Sequence, residues 1–331
     1  MVLFSVTDVC NATCDFCTFW HTKHATAPAE ETIDETIHNI YHRLGCGYLQ
    51  FTGGETLLYP HIERMISAAA RYPMITQLMT NGGLLKPAKI ERLAAAGLGS
   101  VTISIDHWNA SIFDAHRGIP GLSNRIATAI PLLRANGLVS SGGITIARHN
   151  VDELEAVATQ WLDRGMDMVY FSLPVSSTGS SYQIGTDIDG VIDFTPSEMI
   201  AVIERIKQLK KELGSRLLHH PAFLEDAQRY YRDEVQQYPC KGGENVFYVD
   251  HTLTVFDCMT RGVALGHING TLETLHGTAC TDCPIQCFRE SSTYYQGISS
   301  LPFFGAHFRQ AESWKLLGGV IQRQLKQWVA G

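Results

Sequence analysis

Hydrophobic positions in the first half of the chain alternate between two periods. Short apolar runs typical of buried strands are followed by stretches in which apolar residues recur every three or four positions, as on one helix face. The pattern predicts strands at 2–7, 48–51, 74–79, 100–105, 142–147 and 168–173. The helices predicted between them span 32–44, 60–71, 87–96, 121–136 and 151–164. Strands alternating with helices predict an α/β fold with a parallel sheet and crossover helices.

The pattern changes in the second half of the chain. Residues 175–194 are rich in Ser, Thr, Gly and Asp, which is typical either of a solvated connection or of a lid over the sheet. Helices are predicted at 196–213, 221–237 and 306–328, and a surface turn at His219-His220. Short strands and loops are expected in the cysteine-rich part. These changes predict a core at 1–195, a helical connection at 196–239, a cysteine-rich domain at 240–290 and a C-terminal helical segment at 291–331.

Composition narrows the class of protein. The chain has 331 residues, of which 45% are hydrophobic and 18% charged, and its formal net charge is −7. The absence of a basic run argues against nucleic-acid binding, and no apolar stretch approaches the roughly 20 residues of a membrane span. Nine cysteines without a signal peptide favour metal ligation in a reducing compartment, by default the cytoplasm.

Three of the cysteines stand directly after the first predicted strand. Cys10, Cys14 and Cys17 are spaced C-x3-C-x2-C. Cysteine thiolate is the usual ligand of iron–sulfur clusters, and three ligands to a four-iron cluster leave one iron open to a cofactor or substrate. Three core cysteines, or part of a zinc site, are the alternatives at this point.

Together with an aromatic residue before the last cysteine, this spacing resembles the radical S-adenosylmethionine (radical SAM) superfamily. The resemblance continues at Gly53-Gly54-Glu55, Thr80-Asn81-Gly82 and Ser104-Ile105-Asp106, and covers most of residues 1–290. It implies a partial (β/α)6 barrel with its chemistry at the carboxyl ends of the strands. It also implies a [4Fe-4S] cluster on the three cysteines, with S-adenosylmethionine on the open iron. Reductive cleavage of that cofactor gives a 5′-deoxyadenosyl radical, which abstracts a hydrogen atom.

The resemblance also implies a set of cofactor-binding residues: Phe16, Gly53, Gly54, Glu55, Asn81, Ser104, Asp106 and Arg148. Phe16 is expected near the adenine, and the Gly53-Gly54-Glu55 turn at the amino group. Ser104 is expected at the ribose or carboxylate, and Arg148 at the carboxylate through its fork of donors. Asp106 is expected to face either the cofactor or the substrate. For Ser104, Asp106 and Arg148 the alternative is a polar strand end that faces water.

The other cysteine group is Cys240-x17-Cys258 followed by Cys280-x2-Cys283-x3-Cys287. It resembles the C-terminal SPASM extension of the same superfamily, or its shortened Twitch form. Five cysteines suffice for one auxiliary [4Fe-4S] cluster, for which Cys240, Cys258, Cys280 and Cys283 are the first choice of ligands. Cys287 is then an alternative ligand or a free thiol that donates a hydrogen atom to the substrate radical. A tetrahedral zinc site fits the same spacing.

The resemblance implies an enzyme that abstracts a hydrogen atom, with oxidation, epimerisation or bond formation as the outcome. A chain that begins at its first strand leaves no room for an N-terminal peptide-recognition domain. This favours a small metabolite, such as a sugar or an aminocyclitol, over the alternative of a ribosomal peptide. Flavodoxin or ferredoxin is the expected electron donor. A non-catalytic electron carrier or a zinc-stabilised binding protein is the alternative from another class.

Overall fold

The computed structural model describes residues 1–175 and 190–299, the last six of them as backbone only. Most of the polar stretch at 175–194 lies outside the described residues, and so does the helix predicted at 306–328. The fold consists of one mixed sheet covered by helices, with an added cysteine-rich segment at one edge of the six parallel strands.

In the described part of the chain the strands are as follows: β1 Val2–Ser5, β2 Tyr48–Thr52, β3 Ile75–Thr80, β4 Ser100–Ser104, β5 Val139–Thr145, β6 Met168–Ser172, β7 Phe247–Val249, β8 Thr254–Phe256 and β9 Ala264–His267. They form a sheet in the order β6-β5-β4-β3-β2-β1-β7-β8-β9. The pairs from β1 to β6 are all parallel, and β7 also pairs in parallel with β1. The first six strands form the partial barrel expected from the sequence.

The helices described are α1 Ile33–Leu44, α2 Ile62–Ala69, α3 Pro87–Ala95, α4 Ala110–Arg117, α5 Leu122–Ala135, α6 Leu154–Asp163, α7 Pro196–Leu213, α8 Pro221–Tyr231 and α9 Gln286–Ser299. Local sequence explains several of their ends. Gly45 ends α1 in the left-handed region at φ 60°. Thr195 and Glu198 form a reciprocal capping box at the start of α7, where Pro196 fits the first turn. No helix within the described ranges has the length and apolar character needed to cross a membrane.

Alternation along the strands creates two different faces. Six strand side chains point toward the helices and are fully buried: Phe4, Phe51, Leu78, Ile103, Ile144 and Phe171. They form one core with helix residues such as Ile37, Ile90 and Trp161. Burying each large apolar side chain contributes about 1.5–3 kcal/mol, so this layer holds the barrel together. The opposite face of the strands is left for the site.

The strand predictions were close, whereas one helix was missed and two helix bounds differ. β5 begins at Val139, three residues before the predicted start, because the weak strand formers at 140–143 hid it. α4 was not predicted, and α9 begins at Gln286, five residues before the predicted start of the C-terminal helical segment. α8 ends at Tyr231 and not at 237.

The free edge of the barrel at β6 is closed by the segment before α8. The Leu218 N–H donates to the Val169 carbonyl at 2.9 Å, and the Phe171 N–H donates to His219 Nε2 at 2.9 Å. The other ring nitrogen of His219 lies 3.2 Å from the Glu290 carboxylate on α9. His219 is therefore a buried bridge between the barrel edge and the cysteine-rich segment, and the expected surface turn is wrong.

Candidate active site

Cys10, Cys14 and Cys17 lie in the loop that follows β1, at the carboxyl end of the parallel strands. The Ala12 N–H donates to Cys10 Sγ at 3.4 Å, and the loop turns tightly where the Cys17 N–H donates to the Cys14 carbonyl at 3.3 Å. Burial raises the pKa of Cys10 to about 11 and of Cys17 to about 12, and each neighbouring thiol raises them further. Three thiols in one loop fit a bound iron cluster, which would deprotonate them despite their raised pKa values.

The Gly53-Gly54-Glu55 turn packs directly against this loop. The Gly54 N–H donates to the Thr7 carbonyl at 2.9 Å, and the Glu55 N–H donates to the Val9 carbonyl at 2.8 Å. A Cβ on Gly54 would stand 2.0 Å from the Val9 oxygen, and Gly53 has φ +119°. Glycine is thus required because the backbone of the cysteine loop lies where a side chain would stand. The sequence had suggested that a ligand makes this close approach.

We expect Gly54→Ala to destabilise the fold by about 3 kcal/mol and to prevent iron binding, since the added methyl group overlaps backbone that cannot move alone. Thermal unfolding and iron content after anaerobic reconstitution measure both effects. Gly47→Ala is the matched control because a Cβ there meets nothing within 4 Å, and it should change stability by less than about 0.5 kcal/mol. A Gly54→Ala protein with wild-type iron and stability would contradict the assignment.

Glu55 ties the glycine turn to the end of β3. Its carboxylate accepts hydrogen bonds from Thr80 Oγ1 at 2.7 Å, from the Asn81 N–H at 2.7 Å and from the Leu57 N–H at 3.0 Å. The residue is 1% exposed, and burial raises the pKa of its carboxyl group despite these donors. The carboxylate expected to hold an ammonium group instead joins the Gly53-Gly54-Glu55 turn to the Thr80-Asn81 turn.

Asn81 reaches from the end of β3 to the first cysteine. Its Nδ2 donates to Asn11 Oδ1 at 2.8 Å and lies 3.9 Å from Cys10 Sγ, while its Oδ1 accepts from the Gly83 N–H at 2.8 Å. The structure therefore brings Asn81, Glu55 and the cysteine loop together, as the motif spacing suggested.

Asp106, after β4, faces a residue that sequence reasoning missed. Its carboxylate forms a buried ion pair with Arg117, the last residue of α4, and accepts a hydrogen bond from the Thr145 N–H at 3.0 Å. Arg117 Nη1 donates in turn to Cys14 Sγ at 3.2 Å. Burial raises the pKa of Asp106, but Arg117 and His116 outweigh it and hold that pKa below its ordinary value. Asp106 is fully buried and contacts the cysteine loop through Arg117.

Aromatic rings surround the middle of the cysteine loop. Phe16 is 4% exposed, and its ring centroid lies 4.8 Å from that of His116 and 6.5 Å from that of His149, to which it is nearly parallel. His116 Nδ1 lies 2.7 Å from the Asp15 carboxylate. Burial and the neighbouring His116 lower the pKa of His149 to about 4. The place expected for the adenine is therefore lined by Phe16 together with two histidines that the sequence did not single out.

Two other predicted residues have different positions. Ser104 ends β4 on the inner face of the barrel, opposite Gly143 of β5, and is partly exposed there. Arg148 is exposed, and its described partners are residues outside the cysteine loop. Its guanidinium pairs with Glu198 at 2.6 Å and donates to the Asp193 carbonyl. Glu198, at the start of α7, binds the Arg148 guanidinium because the two residues are adjacent in the fold.

The second group of cysteines converges beside β7 and α9. Three thiolate positions share one local geometry, in which the N–H two residues on donates to Sγ at 3.4 Å: Gly242 to Cys240, Thr260 to Cys258 and Ile285 to Cys283. The same geometry occurs at Cys10. Arg261 Nη1 donates to Cys280 Sγ at 3.5 Å. Four sulfur atoms that accept hydrogen bonds in this way fit a bound cluster or metal ion.

Cys287 lies beside these four cysteines in a different environment. Its thiol points to Met259 Sδ at 3.8 Å. Burial raises its pKa, and Cys258 and Cys283 contribute in the same direction. Cys287 remains either an alternative ligand or a free thiol at the edge of the group.

A cavity of about 790 Å³ opens between this group and the end of β6. Its lining includes Pro174 and Val175 after β6, Phe194 before α7, and Tyr230 and Tyr231 at the end of α8. Cys240, Cys258, Cys280 and Cys283 line the other side. The second cysteine group therefore borders an open space that reaches the barrel edge.

Known proteins that are similar in sequence to this chain have several different named activities. An "AdoMet-dependent heme synthase" of Methanosarcina barkeri is 26% identical over 283 residues, which cover 81% of this chain and 79% of that protein. A "PqqA peptide cyclase" of Gluconobacter oxydans is 31% identical over 108 residues, but these cover only 33% of this chain and 30% of that protein.

The fold is also found among solved structures. SuiB of Streptococcus suis, bound to its precursor peptide SuiA, superposes with a TM-score of 0.63 at 14% identity, covering 91% of this chain and 66% of that one. Residues 4–160 match the family described as the radical SAM superfamily. These residues include the three-cysteine loop, the glycine turn and the Asp106–Arg117 pair described above. Residues 4–160 are therefore a radical SAM domain, and proteins of that superfamily use a [4Fe-4S] cluster and S-adenosylmethionine.

Proposed function

We propose that this protein is a radical SAM enzyme that oxidatively modifies a peptide, with one auxiliary cluster as the acceptor of the substrate electron. Cys10, Cys14 and Cys17 hold the catalytic cluster, which supplies the electron that cleaves S-adenosylmethionine. Cys240, Cys258, Cys280 and Cys283 hold the auxiliary one. The named activities of the PqqA peptide cyclase and of a mycofactocin maturase support a peptide substrate.

The observation that carries this proposal is the cavity between the barrel edge and the second cysteine group. Because the four cysteines line its wall, the proposed auxiliary cluster would lie inside its volume of about 790 Å³, and the remaining space is open to a ligand. The cavity has Phe194, Tyr230 and Tyr231 on its walls, and such rings bind side chains well because they are large and rigid. A substrate lying there would border both the barrel and the auxiliary cysteines, which is the arrangement that substrate oxidation needs.

The inner face of the barrel supports a substrate part that is neutral and polar. Ser104, Gly143, Thr145, Tyr170 and Ser172 lie on this face and are partly exposed, while the alternate strand residues are buried against the helices. These groups can hydrogen-bond amides and hydroxyls. A tetrapyrrole with several carboxylates would call for Arg or Lys side chains; these five residues supply none, although Arg261 lines the cavity.

A small metabolite, the preference from sequence alone, remains the second candidate. The match to the heme synthase favours it because that match covers most of both chains. The same neutral barrel face would also accept a sugar or an aminocyclitol. Flavodoxin or ferredoxin remains the predicted electron donor for either substrate.

The two candidates differ in the source of the hydrogen atom. We would incubate anaerobically reconstituted protein with S-adenosylmethionine, dithionite and one of two deuterated pools, either synthetic random peptides or a peptide-free metabolite extract. The proposal predicts deuterium in 5′-deoxyadenosine from the peptide pool alone. Deuterium from the metabolite pool alone would instead establish the second candidate. The Cys14→Ala protein, run in parallel, controls for non-enzymatic cleavage.

The alternatives from another class make a different prediction. An electron carrier or a zinc-stabilised binding protein would form no 5′-deoxyadenosine in any pool. A colourless protein with one zinc would likewise exclude an auxiliary iron–sulfur cluster at the second cysteine group.

A further inference from the structure

Arg117 is a buried cation held against one of the three cysteines. The residue is 6% exposed, and its partner Asp106 is fully buried. One amino group of the guanidinium, Nη1, lies 3.2 Å from Cys14 Sγ, while the other, Nη2, pairs with the Asp106 carboxylate. Burial lowers the pKa of Arg117, but Asp106 outweighs this and raises it above its ordinary value, so the side chain stays charged.

The fold fixes this contact from two directions. The carbonyl of Arg117 accepts a hydrogen bond from the Thr13 N–H at 3.0 Å, so the end of α4 is attached to the cysteine loop. Gly118 follows with φ +64°, and a Cβ there would stand 1.9 Å from Thr13 Oγ1. Only glycine allows this approach. The backbone at Arg117 is therefore attached to the cysteine loop, and the ion pair with Asp106 holds the guanidinium beside Cys14.

One nitrogen atom of the Arg117 side chain has no hydrogen-bond partner in the part of the chain that the structure describes. Among the described residues its buried Nε has no acceptor. An unpaired buried polar atom is costly and calls for an explanation, such as a redox role, an ordered water or a bound ion. Nε is thus a donor that the described residues leave unused, beside the cysteines that would hold an iron–sulfur cluster.

We propose that Arg117 is a positioning residue that raises the reduction potential of the cluster at Cys10, Cys14 and Cys17, and that Asp106 limits the size of this effect. The inference rests on the proposed function, since it requires that cluster. Hydrogen bonds to ligand sulfur and nearby charge are established ways in which proteins set iron–sulfur potentials. A charged donor withdraws electron density from Cys14 Sγ and stabilises the reduced state. The Asp106 carboxylate opposes this because it places a negative charge on the same guanidinium.

This account predicts shifts of opposite sign for the two partners. Arg117→Gln should lower the midpoint potential, so that the ratio of reduced to oxidised cluster at a fixed potential falls about tenfold, equal to about 59 mV for one electron. Asp106→Asn leaves the cation without its counter-charge and should raise the potential. The measurement is an EPR-monitored redox titration of reconstituted protein without S-adenosylmethionine.

Two controls separate this effect from general damage. Arg205→Gln removes an arginine that pairs with Glu155 at the helix surface, and it should leave the potential unchanged. The second cysteine group, if it holds a cluster, provides an internal reference in every sample. Should Arg117→Gln fail to fold, Arg117→Lys keeps the charge without the two-pronged geometry and should lower the potential by a smaller amount.

The inference is overturned if the Arg117 variants keep the wild-type potential, or if the Arg117 and Asp106 variants shift it in the same direction. These outcomes differ from a failure of the proposed function. Wild-type protein that binds no cluster at the first three cysteines would refute the proposed function. A full cluster with an unchanged potential in the variants would refute only the role of Arg117.

Discussion

Cys14→Ala should abolish reductive cleavage of S-adenosylmethionine. Cys14 is the most buried of the three cysteines and the one that Arg117 contacts, so its loss removes both a ligand and the anchor of the loop. Changes outside a ligand set already alter metal affinity about 10–100-fold, so removal of a ligand should lower 5′-deoxyadenosine formation by more than about 100-fold. Anaerobic turnover with dithionite, followed by chromatography of the nucleoside, measures this directly.

Cys46→Ala is the matched control for this substitution. Cys46 is the ninth cysteine, fully buried, and its thiol donates to the Tyr48 carbonyl at 3.2 Å, so it belongs to neither cysteine group. The control should keep both its iron content and its rate of cleavage. Unchanged 5′-deoxyadenosine production by Cys14→Ala would show that the first three cysteines are not the catalytic ligands.

Cys258→Ala should have the opposite pattern, retaining cleavage and losing product. Cys258 accepts the Thr260 N–H in the second group and lines the cavity beside β6, away from the loop after β1. We expect the auxiliary irons to be lost and substrate turnover to fall by roughly 100-fold, while cleavage of S-adenosylmethionine without product continues. Iron analysis and paired measurements of 5′-deoxyadenosine and modified substrate test both parts.

A purely structural second site would give another result. Because β7 pairs with β1, collapse of the cysteine-rich segment would also disturb the barrel. Loss of all iron and of soluble protein in Cys258→Ala would therefore contradict an electron-accepting role. Retention of product at the wild-type rate would contradict it as well.

Much of the site could be predicted because it is local in sequence. The cysteine loop, the Gly53-Gly54-Glu55 turn and the end of β3 each follow a strand whose apolar pattern is clear. Parallel strands bring such ends to one edge of a sheet, which is why separate motifs meet in the structure. Cys10, Glu55 and Asn81 are accordingly close together.

The parts that were missed depend on contacts between distant segments. Arg117 ends a helix that the polar stretch before it concealed, and nothing in its spacing points to Cys14, 103 residues earlier. Arg148 follows a strand, as expected of a site residue, but its side chain pairs with Glu198, which lies 50 residues later in the chain. His219 resembled a surface residue because its partner, Glu290, lies on a helix inside the cysteine-rich segment.

The central claim is that the chain holds two iron–sulfur clusters, one catalytic and one auxiliary. Iron and sulfide content with Mössbauer spectra, on reconstituted wild type and on a Cys10/Cys14/Cys17 triple alanine variant, tests it most directly. The account predicts about eight irons per chain, falling to about four in the variant. About four irons falling to none would contradict the auxiliary cluster, and wild-type protein without iron would contradict the account as a whole.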